Sequence, residues 1–146
     1  MSATADEIET ALLAPWQSPD DGVTPPEWTG TPPDLVAFDN STFPPPSDNV
    51  TPWMEVYASA GRQDAVNIAL TSNIGNPTVT VSANIGMGQG KSAARQLLDA
   101  AAALYRGRLF TAGTDTLHAY HFSEQVRTVG KDGWYRLSQQ ISFKSY

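Results

Sequence analysis

Apolar and polar residues alternate with a period of two after Pro52, which predicts β-strands. The pattern covers Met54 to Ala58, returns from Val66 to Leu70, and is longest from Thr78 to Ile85. Because successive side chains of a strand point to opposite faces, each segment is typical of a strand with one buried face.

The C-terminal part of the chain predicts more strand. Leu117 to Val129 forms one long extended candidate, and Gly130 to Gly133 has the composition of a hairpin turn. Four apolar residues then predict one face of a last strand: Tyr135, Leu137, Ile141 and Phe143.

Two segments have helical spacing instead. Lys91 to Arg106 carries apolar residues three and four apart and is followed by Gly107, which favours a helix end. A shorter helix is predicted over residues 4–14, where Thr4 and Glu7 have the spacing of a capping box and Pro15 follows.

The sequence therefore predicts a single α+β domain. We expect a mostly antiparallel β-sheet with one main helix packed across it. Residues 1–14 form the N-terminal helix, 15–52 a Pro-rich acidic arm, and 53–146 the α+β body. Ten of the 11 prolines lie in the arm, for which we expect high mobility over residues 17–33 and a short extended piece at Leu35–Phe38.

Charge divides the chain into two parts. Residues 1–61 contain ten acidic residues and no lysine or arginine (−10), whereas residues 62–146 contain nine basic and five acidic residues (+4), which together give −6. Such a chain could present a negative and a positive face that dock head to tail in a closed ring. The candidate interface residues are Asp20, Asp21, Glu27, Asp34, Lys91, Arg95, Arg106 and Arg108.

Composition and the N-terminus narrow the function classes. There is no cysteine and no apolar run of about 18 residues, so neither a disulfide scaffold nor a membrane span is expected. The first residues lack the basic and apolar regions of a secretory signal, and we expect synthesis in a cytosol. A pI near 4.6 argues against tight phosphate binding by the basic residues.

No pattern in the sequence predicts catalysis, a cofactor or a metal. Gly86 to Ser92 is similar to a phosphate-binding loop, but Ile85 occupies the place of the first required glycine. His118 and His121 are three apart in a predicted strand, which should place them on opposite faces. We expect no enzyme, although a phosphate-binding enzyme that uses residues 86–92 stays an alternative.

The order of features along the chain resembles the tail terminator family of long-tailed phages, which includes the minor tail protein U of phage lambda. The similarity rests on an N-terminal helix, Pro52-Trp53-Met54 entering a strand, the glycines before a helix with Leu97-Leu98-Asp99, and a last strand with Trp134-Tyr135-Arg136. It covers roughly residues 36–143, and no single motif in it is specific.

The resemblance implies a structural virion protein without a cofactor or active site. Its members form a hexameric ring that caps the tail tube, accepts the head-completion or neck protein, and lets DNA pass without specific binding. We therefore expect a location in the virion tail, at the head–tail junction, after assembly in the host cytoplasm. Another head–tail connector, such as a neck stopper or a tail tube subunit, is the closest alternative.

Overall fold

The computed structural model describes residues 3–16, 35–38, 51–61, 63–67, 70–73, 76–128 and 133–145. These residues form a mixed α+β fold, as predicted. The helices are α1 (Ala5–Leu13), continued by a 3-10 turn (Ala14–Trp16), and α2 (Lys91–Ala103). The strands are β1 (Leu35–Phe38), β2 (Trp53–Ser59), β3 (Gln63–Asn67), β4 (Leu70–Asn73), β5 (Thr78–Gly86), β6 (Leu109–Ala112), β7 (Asp115–Phe122), β8 (Val126–Thr128) and β9 (Trp134–Ser145).

One sheet contains seven of the strands in the order β1-β2-β5-β9-β7-β6, and β8 pairs with the N-terminal part of β9. Strands β1 and β2 are parallel, and the other pairs are antiparallel. Both helices pack on the same face, called the inner face below: α2 contacts β5 and β9, and α1 contacts β2 and β6. Since β2 and β6 lie in different halves of the strand order, the sheet curls around α1.

The capping box predicted at the start of α1 is confirmed. The Thr4 side-chain oxygen accepts a hydrogen bond from the Glu7 amide at 3.2 Å, and Glu7 Oε2 accepts one from the Thr4 amide at 2.8 Å. The helix then buries Ile8 and Leu12 completely in the core. The acidic side chains of its first turn also suit the positive end of the helix dipole.

Helix α2 ends at Ala103, three residues earlier than the sequence pattern predicted. The amides of Leu104 and Tyr105 bond to carbonyl oxygens three residues back, so the last turn tightens, and Gly107 follows with φ 72°. The tighter turn directs the Tyr105 side chain into the core, where it is fully buried.

Two predicted strands are interrupted in the structure. The segment Val66 to Leu70 belongs to two strands, β3 and β4, which form a separate hairpin. The segment Leu117 to Val129 is divided into β7 and β8, because regular pairing is interrupted at residues 123–125, although the Ser123 amide still donates to the Gln140 carbonyl oxygen at 2.9 Å. Strand β8 then pairs with β9 nearer the start of β9. The predicted extended piece at Leu35–Phe38 is confirmed as β1.

The Pro-rich arm is described only at its ends and at β1. Trp16, the third residue after α1, is fully buried in the core. The other arm residues lie outside the described residues, and with them the mobility expected for residues 17–33. Val129 of the predicted strand and residues 130–132 of the predicted turn also lie outside them.

A buried hydrogen-bond relay joins the two helices. Trp16 Nε1 donates to the Tyr105 hydroxyl at 2.7 Å, and this hydroxyl donates to the Leu12 carbonyl oxygen at 2.6 Å. Burial raises the pKa of the Tyr105 phenol above its ordinary value, while the Trp16 hydrogen bond and the positive charge of Arg108 act in the opposite direction. The relay fixes the end of α1 against the turn that follows α2.

We predict that Tyr105→Phe lowers the free energy of unfolding by about 1–3 kcal/mol, because the buried carbonyl of Leu12 loses its donor and Trp16 loses an acceptor. Urea denaturation followed by circular dichroism measures the change. The control is Tyr57→Phe, since Tyr57 is 42% exposed, and its effect should stay within about 0.5 kcal/mol. Equal effects of the two substitutions would contradict the structural role of the relay.

The raised pKa of Tyr105 also predicts a loss of stability in alkali. An unfolded tyrosine ionises near pH 10, whereas the folded protein keeps this phenol neutral to higher pH. The stabilisation is therefore complete below about pH 10 and is lost as the pH rises through the folded pKa. The difference in free energy of unfolding between wild type and Tyr105→Phe should shrink from about pH 9 to about pH 11.5. A constant difference would rule out this linkage.

Candidate assembly surface

The predicted interface residues fall into two groups. The acidic residues Asp20, Asp21, Glu27 and Asp34 lie outside the described residues. The four basic residues are described, and the structure places them at the two ends of α2 rather than in one cluster.

Lys91 and Arg95 are exposed one turn apart at the start of α2. The preceding glycine loop, residues 86–90, has positive φ at Gly88 (86°) and Gly90 (83°), a conformation that favours glycine. Met87 at the tip of this loop is 58% exposed. This end of the helix therefore presents two cations and one apolar side chain to solvent.

Arg106 and Arg108 follow the other end of α2, which is about 20 Å away for a helix of 13 residues. The Arg106 guanidinium lies 4.8 Å from the centroid of the Phe122 ring. The Arg108 guanidinium lies 5.6 Å from the Phe110 ring and donates to the Leu104 carbonyl oxygen at 3.3 Å. These contacts place Arg106 beside β7 and Arg108 beside β6.

The outer face of the sheet, opposite the helices, is closed over part of its area. Trp53 and Trp134 pack edge to face at 5.9 Å between ring centroids, together with Ala37. Ser82 and Asn84 of β5 are each only 1% exposed, so this part of the strand is buried on both faces. The alternating pattern predicted that these polar side chains of β5 face solvent, and that prediction is wrong.

A polar network fills this closed part. Arg136 Nη2 lies 2.9 Å from Glu55 Oε2 and donates to Ser82 Oγ at 3.1 Å. The Ser138 hydroxyl lies 2.8 Å from the hydroxyls of both Ser82 and Thr128. The ion pair neutralises the two opposite charges, although Glu55 Oε2 and Arg136 Nε are buried without a hydrogen bond among the described residues. We assign the network a structural role in joining β2, β5, β9 and β8.

Sequence reasoning missed this network because its members lie far apart along the chain. The available signal was local: tryptophans and charged residues occupy the outer positions of β2 and β9, as in Trp53, Glu55, Trp134 and Arg136. Only the strand order, which places β5 between β2 and β9, shows that these positions are adjacent.

The outer face is open over the second half of β9 and over β7 and β6. Leu109 is 67% exposed and Tyr120 is 43% exposed. The Tyr120 hydroxyl accepts a hydrogen bond from Asn76 at 2.6 Å, and Lys144 Nζ lies 4.6 Å from the Tyr120 ring centroid. This open part is an apolar and basic surface that nothing in the described residues covers.

The predicted arrangement of the two histidines is wrong. A register shift between Ala119 and His121 inserts one residue into β7, and both Ala119 and Phe122 pack towards the core. His118 and His121 pair with Lys144 and Ser142, which alternate with core residues of β9, so both histidines lie on the outer face. Among the described residues, no group of three or more histidine or acidic side chains is arranged to hold a metal ion.

The glycine loop connects a strand to a helix, as a phosphate-binding loop does, but the kind of sheet around it is different. Both neighbours of β5, the strands β2 and β9, are antiparallel to it. Ile85, which replaces the first glycine of the nucleotide motif, is fully buried. Within the part of the chain that the structure describes, no helix is long and apolar enough to span a membrane.

Comparison with known proteins gives little further guidance. No protein-family model matches the chain, and no curated protein is significantly similar to it. One solved structure shares 20% sequence identity with the chain. The match covers 78% of this chain and 82% of the other chain, and the TM-score is 0.49. This similarity is too low to support a functional argument.

We predict that the glycine loop binds no nucleotide. Isothermal titration of the protein with ATP and Mg²⁺ should give no binding heat, because the loop lacks the first glycine that lets backbone amides surround a phosphate. Binding that Lys91→Ala abolishes and Arg95→Ala preserves would instead support the phosphate-binding alternative.

Proposed function

We propose that this protein is a tail terminator of a long-tailed phage, a structural virion protein that forms a ring on the tail tube and joins it to the head or neck. Its partners are further copies of itself, the tail tube protein and the head-completion or neck protein. The function requires no catalysis and no cofactor.

The observation that carries the proposal is the order of sequence features over residues 36–143. The strand that begins at Trp53, the glycine loop before α2 and the last strand beginning at Trp134 follow one another as in the tail terminator family. The α+β fold, with a helix packed across an antiparallel sheet, is compatible with this resemblance.

The surface supports an assembly role in a second way. Large apolar side chains are exposed at two separate places: Met87 lies beside the start of α2, and Leu109 lies on the edge strand β6. A ring requires two different and complementary surfaces on each subunit, because each copy contacts one neighbour on either side. The excess of acidic residues before position 62 and of basic residues after position 61 is compatible with charge-complementary contacts between copies.

The net charge also suits a passage for DNA. A formal charge of −6 repels the phosphate backbone at long range, so a ring of this protein would not hold its cargo tightly. A neck stopper or a tail tube subunit would share many of these properties, and the site of binding distinguishes them. A terminator binds the tips of tail tubes, a neck stopper binds filled heads, and a tube subunit extends the tube.

We predict that the purified protein stops the growth of tail tubes. Tube subunits polymerised with the protein present should give tubes of limited length that carry a ring at one tip in negative-stain images. Tubes that grow to the same length with and without the protein would overturn the proposal, as would binding to filled heads alone.

We also predict that the ring loosens in salt. Light scattering should give the mass of a ring at about 0.05 M NaCl and a lower mass at about 1 M NaCl, because salt screens attraction between the charged surfaces. Rings whose mass does not change over this range would exclude a contact held mainly by charge.

A further inference from the structure

The open part of the outer face is called the outer patch below, and it contains Leu109, Tyr120, His121 and Lys144. The register places Leu109, His118 and Lys144 side by side on β6, β7 and β9. Among the outward positions of these described strand segments, none is an aspartate or a glutamate. The outer patch therefore combines exposed apolar side chains with the positive charge of Lys144.

Helix α1 presents the opposite charge. Asp6, Glu9 and Thr10 lie three and four residues apart, on the side of the helix that faces away from its buried residues Ile8 and Leu12. Asp6 and Thr10 are exposed, and Glu9 is partly exposed. The nine residues of α1, all of them described, include no lysine, arginine or histidine. This side of α1, called the acidic stripe below, is therefore uniformly negative.

The two surfaces lie on opposite sides of the same strands. Helix α1 packs against β6 on the inner face, and the Ala3 amide, just before the helix, donates to Asp115 Oδ2 at the start of β7 at 2.9 Å. The outer patch covers the other face of β6 and β7. A contact that joins unlike surfaces of identical copies requires this arrangement, because each copy then meets one neighbour on either side.

We propose that the acidic stripe of one copy docks on the outer patch of the next copy, so that the carboxylates of α1 meet Lys144 and the helix covers Leu109 and Tyr120. The attraction of opposite charges selects this orientation, and the covering of the two large side chains removes apolar area from water. This inference rests on the proposed function, since it identifies the contact between ring subunits.

Two variants each change one side of this contact. The stripe variant, Asp6→Lys/Glu9→Lys, places positive charges opposite Lys144. The patch variant, Leu109→Ser/Lys144→Ser, removes the most exposed apolar side chain and the positive charge of the outer patch. Sedimentation velocity at about 0.05 M NaCl, where salt screens charges only weakly, measures self-association. We expect each variant to associate about tenfold more weakly than wild type, which corresponds to about 1.4 kcal/mol.

The controls separate this contact from a general effect of charge or folding. Asp99→Lys/Glu124→Lys makes the same change in net charge at two exposed acidic residues outside the stripe, and it should associate like wild type. Thermal unfolding checks that each variant is folded. Because lysine in the first turn opposes the helix dipole, Asp6→Asn/Glu9→Gln supplies a milder stripe variant, which should weaken association in the same direction. A control that weakens association as much as the stripe variant would overturn the proposal.

A mixture of the two variants tests whether the contact joins unlike surfaces. The stripe variant keeps an intact outer patch, and the patch variant keeps an intact acidic stripe. An equimolar mixture should therefore form a heterodimer and no larger species, whereas wild type continues to a ring. Wild type that stays monomeric, folded variants that assemble as wild type does, or a mixture without a heterodimer would each overturn the docking.

The results separate this inference from the proposed function. If wild type stops tube growth and the patch variant still forms rings, the terminator role stands and the docking is overturned. A patch variant that forms rings but no longer stops tube growth would assign the outer patch to the tube protein instead, and this result also overturns the docking. Loss of rings in both variants with a heterodimer in their mixture, but without any effect of wild type on tube growth, would support the docking and overturn the terminator role.

Discussion

The hydroxyl of Tyr105 is the contact on which the arrangement of this fold depends. It lies in the core, accepts a hydrogen bond from Trp16 and donates one to the carbonyl of Leu12. The chain segments that it joins are the end of α1 and the turn after α2. Because α1 contacts both β2 and β6, the relay fixes the end of a helix that packs against two distant strands of the sheet.

The outer face of the sheet has a buried part, which we assign a structural role, and an exposed part, which is available for contacts with other proteins. Over β2, β5 and the first half of β9, the buried tryptophan pair and the partly buried Glu55–Arg136 ion pair serve to join strands. Over the second half of β9, β7 and β6, side chains such as Leu109 and Tyr120 stay exposed. An exposed apolar and basic surface next to a strand that has a single neighbour among the described residues is typical of a site that contacts another protein.

The proposed ring would use surfaces that the described part of one subunit leaves exposed. Leu109 on β6 is 67% exposed, and Met87 beside the start of α2 is 58% exposed. Burial of such side chains against a neighbouring copy would remove apolar area from water and so favour assembly.

The sequence by itself determined the elements whose signals are local. The Thr4–Glu7 capping box, the helix that begins at Lys91 and the apolar face of the last strand each depend on residues a few positions apart, and periodicity detects such spacing. Only the tertiary structure decided which strands are neighbours, and with that the burial of Ser82 and Asn84, the Glu55–Arg136 pair and the side of the sheet on which His121 lies. These features depend on contacts between distant parts of the chain and on one inserted residue in β7, neither of which leaves a periodic trace in the sequence.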